Sequence, residues 1–144
     1  AQQLSVTLGG NVTKAQSTEI GWFSVENVPE TAHLAPKSLT EGPWMQWHYD
    51  AFSVPTGATV LAQSAAGPQA MVCGRAAGLQ FHPEATESIV RTWASGDGES
   101  ELAAIGLTET EILNHTRAQL DDAARRCDDI VDWFLTDIAQ RHME

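Results

Sequence analysis

The pattern of apolar and polar positions divides the chain into short strand-like segments followed by helices. Residues 20–25 are rich in aromatic and β-branched side chains, which predicts a strand, and a polar loop follows from about 30 to 42. The next apolar segments are short and separated by turns that contain glycine or proline. They predict closely spaced, partly antiparallel strands at 44–48, 58–64, 69–73 and 77–82.

Helical patterns lie at both ends of this strand-rich region. Residues 2–8, followed by Gly9-Gly10, suit a short helix closed by glycine, although a strand alternation is the other interpretation. Residues 86–94 predict a helix that is broken at 95–98. From about 108 to 140, apolar residues recur at helical spacing, which predicts one long amphipathic helix, or two, with acidic residues on the solvent face.

Size and charge restrict the function. The 144 residues suffice for one domain, and the apolar runs are far shorter than the roughly 20 residues that cross a bilayer, so we expect a soluble cytoplasmic protein. The net charge of −11 comes from 19 acidic and 8 basic residues. This balance argues against binding to nucleic acid or to an anionic membrane, and it favours a small molecule or a protein as the partner.

The two cysteines suggest neither a metal site nor a disulfide. Cys73 and Cys127 are 54 positions apart, without a C-x-x-C motif or a histidine cluster at ligand spacing. We therefore expect structural thiols, no metal and no cofactor. Cys127 lies on the apolar stripe of the last predicted helix, and nothing near Cys73 in sequence would lower its pKa enough to make it a nucleophile.

One short segment carries candidate chemistry. The apolar strand that ends at Phe81 is followed by His82, Pro83 and Glu84. Residues i and i+2 of an extended chain point to the same side, about 6.6 Å apart, so the carboxylate can reach back to one imidazole nitrogen. Pro83 restrains His82 to an extended conformation and ends the strand there.

A histidine oriented by a carboxylate is the base half of a nucleophilic triad. Glu84 would fix the tautomer of His82, which would take the proton of a nucleophile and return it to the leaving group. An isolated H-P-E motif more often marks a structural histidine capped by a nearby acid. The spacing alone leaves both interpretations open.

Three stretches together resemble the class I, triad-type glutamine amidotransferases, in order and spacing across nearly the whole chain. The closest likeness is to the stand-alone proteins related to the glutaminase domain of GMP synthase. The stretches are Gln2-Gln3-Leu4 with Leu8-Gly9-Gly10, then Trp47-His48-Tyr49-Asp50 with Phe52 and Pro55-Thr56-Gly57-Ala58, and finally Gln69-Ala70 with Gly78-Leu79-Gln80-Phe81-His82-Pro83-Glu84.

The resemblance implies a reaction and a site. The reaction is hydrolysis of the side-chain amide of glutamine, or of a γ-glutamyl compound, through a cysteinyl thioester, and the ammonia passes to a synthase partner if one exists. His82 and Glu84 would be catalytic. Gln2 and the segment from Trp47 to Asp50 would line the glutamine pocket. Asp50 would meet the α-amino group, the backbone around His48 would lie near the α-carboxylate, and Tyr49 would lie beside them. For Trp47 and Tyr49 packing is an equal alternative, and Asp50 could instead cap a turn.

The resemblance also implies a three-layer α/β fold of the flavodoxin-like kind, of which residues 1–144 would be the C-terminal portion. A core-like part would span about 1–94 and a helical part about 100–144. In the family motif G-x-C-x-G-x-Q, Gln2 matches the last glutamine. The nucleophilic cysteine, its elbow and the first strands would then lie upstream of Ala1, and this chain alone would be inactive.

Two other hypotheses remain: a catalytically inactive, amidotransferase-like binding or regulatory protein, and an unrelated α/β interaction domain in which His82 and Glu84 do not meet. If the first strands are missing, a sheet edge and an apolar face would be uncovered. The isolated chain would then be marginally stable, aggregation-prone or a homodimer.

Overall fold

The computed structural model describes residues 1–140. Along these residues one helix is followed by six strands and then by three helices, and 3₁₀ turns occupy much of the loop before β3. The helices are α1 Gln2–Thr7, α2 Glu87–Ala94, α3 Asp97–Ala104 and α4 Glu109–Trp133, and a π-helical turn follows at Phe134–Ile138. The strands are β1 Val12–Phe23, β2 Glu26–Asn27, β3 Trp44–Phe52, β4 Thr59–Ser64, β5 Gly67–Cys73 and β6 Ala76–Leu79, and the 3₁₀ turns are Pro29–Leu34 and Lys37–Leu39.

The strands form two antiparallel sheets. β1 and β3 make a two-stranded ribbon, and β2-β4-β5-β6 make a four-stranded sheet. The chain after β6 joins the two, because the N–H of His82 donates to the Met45 carbonyl at 2.8 Å. The sequence predicted partly antiparallel strands; every strand pair within residues 1–140 is antiparallel. The two sheets therefore meet at the H-P-E segment.

The helix ends agree with the sequence signals. α2 begins after Thr86, whose hydroxyl accepts a hydrogen bond from the Ile89 N–H. α4 begins with a capping box, in which the side chains of Thr108 and Glu111 each accept from the backbone N–H of the other residue. α1 is followed by Gly9 at φ 88°, the left-handed conformation that glycine adopts at a helix C-terminus. The first segment is thus helix rather than strand.

Several predicted boundaries differ from the structure: the strand predicted at 44–48 extends to Phe52, and the strand predicted at 77–82 is β6, which ends at Leu79. The strand predicted at 20–25 is the end of β1, which begins at Val12. The break predicted at 95–98 is a single turn at Gly96, φ 62°, after which α3 begins at once. The pattern missed α3 because only Gly98 and Leu102 of its eight residues are buried, which is too few for a helical period. Of the predicted C-terminal segment, residues 141–144 lie outside the described part of the chain.

Two apolar clusters hold this arrangement. One lies between the four-stranded sheet and the end of α4, and it includes Trp44, Leu61, Phe81, Trp133 and Ile138. The other packs the ribbon against α2, α3 and the start of α4, and it includes Ile20, Met45, Val90, Leu102 and Ile112. Because the neighbouring residues Trp44 and Met45 enter different clusters, the start of β3 is fixed from both sides.

Part of the apolar surface is uncovered. An apolar cleft of about 270 Å³ lies between β6 and α4, and Val131 at its rim is 49% exposed. Leu135, on the π-helical turn, is 51% exposed. Homodimerisation and marginal stability of the isolated chain stay predictions. Within residues 1–140, no helix is both long enough and apolar enough to span a membrane.

Ion pairs between α2 and α4 predict that the free energy of unfolding depends on pH. Glu87 contacts Arg117 at 2.6 Å and Arg91 at 2.8 Å, and hydrogen bonds from these two guanidinium groups lower the pKa of Glu87 to about 2. A carboxyl group whose pKa is lowered in the folded state stabilises the fold at pH values above its ordinary pKa of 4.5. That contribution is lost as the pH falls from about 4.5 to about 2.

We expect Glu87→Gln to lower the urea midpoint at pH 6 and to leave it nearly unchanged at pH 2, with the difference shrinking in high salt because the pairs are exposed. Urea titrations at both pH values measure this. Glu99→Gln, an exposed carboxylate of α3 outside the ion pairs found in residues 1–140, is the control. Equal midpoint differences at pH 6 and pH 2 would contradict the prediction.

Candidate functional site

A cleft of about 520 Å³ lies where α1, β3 and the chain after β6 converge. The N-terminal nitrogen of Ala1 donates to the Leu79 carbonyl at 3.1 Å, which fixes the start of α1 against the end of β6. The lining residues come from these three elements: Ala1, Gln2, Gln3, Trp47, His48, Leu79, Gln80, Phe81, His82, Pro83 and Glu84. Residues distant in sequence therefore share one concave surface.

His82 and Glu84 meet at this cleft. Nδ1 of His82 lies 2.7 Å from Oε1 of Glu84, and the two side chains are 31% and 58% exposed. The backbone of His82 is held by its hydrogen bond to Met45. When Nδ1 carries the proton and donates it to Glu84, Nε2 is the unprotonated nitrogen and can accept a proton from a nucleophile.

Two tryptophans support the imidazole from the side. The rings of His82 and Trp93 are 4.6 Å apart, and Trp93 meets Trp47 edge-on at 6.0 Å. Trp47 Nε1 donates to Oε2 of Glu101 on α3 at 2.6 Å. Close packing requires Gly98, because a Cβ there would overlap the Trp93 carbonyl oxygen. The sequence predicted a helix over 86–94 but gave no signal for the contact of Trp93 with His82.

The predicted substrate residues divide into two groups. Gln2 and His48 line the cleft, whereas Tyr49 and Asp50 are absent from its lining. Asp50 contributes its carbonyl oxygen, which accepts from Gln2 Nε2 at 3.3 Å and from Gln80 Nε2 at 2.9 Å. Burial, the charge of Glu101 and a hydrogen bond to it raise the pKa of Tyr49. Their roles in binding substrate stay predictions.

Both cysteines lie away from the lining of this cleft. Cys73 is the last residue of β5, beside the hairpin turn. Cys127 lies on α4, packed against the first apolar cluster, and burial together with the negative charges of Asp128 and Glu84 raises the pKa of its thiol. A raised pKa reduces the thiolate fraction, so Cys127 is unsuited to act as a nucleophile.

A histidine oriented by a carboxylate, in a cleft beside the start of a helix, is an arrangement that can serve as the base half of a nucleophilic triad. No protein-family model matches the chain. A glutamine-hydrolysing GMP synthase from Thermomicrobium roseum is 40% identical over 84 residues, which are 58% of this chain and 16% of that protein.

Solved structures extend the likeness to almost the whole chain. A glutamine amidotransferase from Methylobacillus flagellatus superposes with a TM-score of 0.80 at 27% identity, over 99% of this chain and 61% of that one. For a glutamine amidotransferase from Thermotoga maritima the TM-score is 0.73 at 26% identity, over 97% of this chain and 59% of that one. The chain thus spans about three fifths of the length of these structures.

These findings confirm the resemblance to class I glutamine amidotransferase domains and the fold class, the flavodoxin-like α/β fold. Within the class, the likeness is to the stand-alone proteins related to the glutaminase domain of GMP synthase.

Proposed function

We propose that this chain supplies His82 and Glu84 of a Cys-His-Glu triad that hydrolyses a γ-glutamyl amide, with glutamine as the main substrate. One observation carries the proposal: the 2.7 Å contact between the two side chains, at a cleft that also contains the start of α1. The proposal assigns the nucleophilic cysteine to a residue outside residues 1–144, because the resemblance matches Gln2 with the last glutamine of the family motif.

The reaction follows from the positions of these groups. His82 takes the thiol proton of the cysteine as its sulfur attacks the side-chain amide carbon, and then gives that proton to the departing ammonia. Glu84 holds the imidazole in the required tautomer and stabilises the imidazolium. Water then hydrolyses the thioester to glutamate, with His82 again as the base. Gln2 and the backbone at His48 border the bound substrate, and ammonia passes to a synthase partner.

A second candidate is an inactive binding or regulatory protein that retains the fold. It is favoured by the absence of both cysteines from the cleft formed by residues 1–140. The residues that the gene encodes before Ala1 distinguish the two candidates.

The test uses the protein extended upstream through its genomic reading frame. We expect it to release glutamate from glutamine and to be labelled by an electrophilic glutamine analogue at a cysteine before Ala1, identified by peptide mass spectrometry. Labelling at Cys73 or Cys127 would mean that the nucleophile lies within this chain, and it would contradict the proposal. If the longer protein releases no glutamate, takes no label and has no upstream cysteine, the binding-protein function replaces it.

A further inference from the structure

A carboxylate that the triad does not use is buried next to the cleft. Glu19, on β1, is 5% exposed, in a chain whose acidic residues are otherwise mostly at the surface. Burying a charged or polar group costs free energy unless partners compensate for the lost water. The neighbours of Glu19 must therefore compensate for the cost of burying its carboxyl group.

The neighbours form a polar network that joins the ribbon to the four-stranded sheet. Oε2 of Glu19 lies 3.2 Å from Nε2 of His48 and accepts from Nε2 of Gln69 at 3.1 Å. The same Gln69 amide donates to Ser64 Oγ at 2.9 Å, and its oxygen accepts from Gln46 Nε2 at 2.8 Å. The network thus connects β1, β3, β4 and β5.

His48 stands between this network and the cleft. It borders the cleft, yet both of its ring nitrogens are buried and neither has a hydrogen-bond partner with good alignment within residues 1–140. The 3.2 Å approach of Nε2 to Glu19 therefore lacks the geometry of a well-formed hydrogen bond.

The register of β1 against β3 brings Glu19 next to His48. β1 and β3 pair Lys14 with Asp50 and then Glu19 with His48, so β1 advances five residues while β3 advances two. Such a bulge re-aims side chains and occurs often beside functional sites. A buried ion pair is weak evidence for stability, because well-packed apolar residues often replace one without loss. We therefore explain the network by its effect on the position of β3 and not by a contribution to the free energy of unfolding.

We propose that Glu19 is a positioning residue: through His48 and Gln69 it fixes the segment of β3 that contributes Trp47 and His48 to the lining of the cleft. The effect on substrate binding rests on the proposed function. The positioning itself requires only that Glu19 keep β3 in place, without contact between Glu19 and the substrate.

Kinetics on the longer protein that contains the nucleophile test this role. For Glu19→Gln we expect the KM for glutamine to rise about tenfold and kcat to change by less than about threefold, because the β3 part of the cleft lining shifts while His82 and Glu84 keep their geometry. Glu26→Gln, an exposed carboxylate of β2, is the matched control and should leave both unchanged. An unchanged KM in Glu19→Gln would overturn the proposal.

A second measurement separates this proposal from the proposed function. In the longer protein, Glu19→Gln should speed amide hydrogen exchange in β3 around His48 while leaving α4 protected, and the double variant with His48→Gln should add little further. Exchange that rises equally in β3 and α4, or effects of the two substitutions that simply add, would show a general structural role and overturn the proposal. A longer protein without glutaminase activity that still shows the local exchange would refute only the proposed function.

Discussion

Replacing His82 with alanine in the longer protein is expected to lower kcat/KM for glutamine hydrolysis by about 10³-fold, within the range that a positioned general base contributes. The imidazole is the group at the cleft whose free Nε2 can take a thiol proton, since Nδ1 is engaged with Glu84. Because the ring contributes to proton transfer more than to binding, the loss should be mainly in kcat. Steady-state glutamate release measures it.

Glu84→Gln should cost less, roughly 10²-fold. Its carboxylate is 58% exposed, so water can partly replace it as the partner of Nδ1. The double variant should be little worse than His82→Ala alone, since the two residues act as one unit. His115→Ala, an exposed histidine of α4, is the control. A His82 variant that kept nearly full activity, or a double variant with multiplied losses, would mean that the pair is structural.

The sequence predicted the contact between His82 and Glu84 because its cause is local, although the predicted extended backbone was wrong. Residues 83–84 form a turn closed by a hydrogen bond from the Ala85 N–H to the His82 carbonyl at 3.2 Å, and Oε1 of Glu84 reaches Nδ1 of His82 at 2.7 Å. The cap at Thr108 was similarly predictable from the next three positions. The fold class came from the family resemblance, since every strand pair within residues 1–140 is antiparallel.

Contacts that depend on distant register could not be predicted. Glu19 meets His48 only because a bulge in β1 shifts the pairing, and nothing in the spacing of these 29 positions indicates it. The support of His82 by Trp93 depends on how α2 docks against the strands. Tyr49 and Asp50 were assigned to the pocket by family position; neither lines the cleft, where the Asp50 carbonyl accepts from Gln2 and Gln80, and their roles stay predictions.

Trp44→Ala is expected to lower the free energy of unfolding by about 3–5 kcal/mol, the usual cost of truncating a large buried aromatic. Trp44 is fully buried and stacks on Phe81 with ring centres 4.9 Å apart. Its indole N–H donates to the Leu39 carbonyl at 2.8 Å, and the guanidinium of Arg126 lies 4.7 Å above the ring. Truncation opens a cavity and removes the aromatic face that helps to compensate this buried cation.

Urea unfolding of the longer protein that contains the nucleophile measures the effect, and Trp44→Phe is the matched variant. It keeps a ring against Phe81 but loses the hydrogen bond to Leu39, so we expect a smaller loss of about 1–2 kcal/mol. Phe81 immediately precedes His82, so the alanine variant should also loosen the segment that carries His82. We expect it to speed hydrogen exchange of the His82 amide more than the phenylalanine variant does. Equal losses from both variants would mean that the hydrogen bond, and not the ring packing, holds the strand end that carries His82.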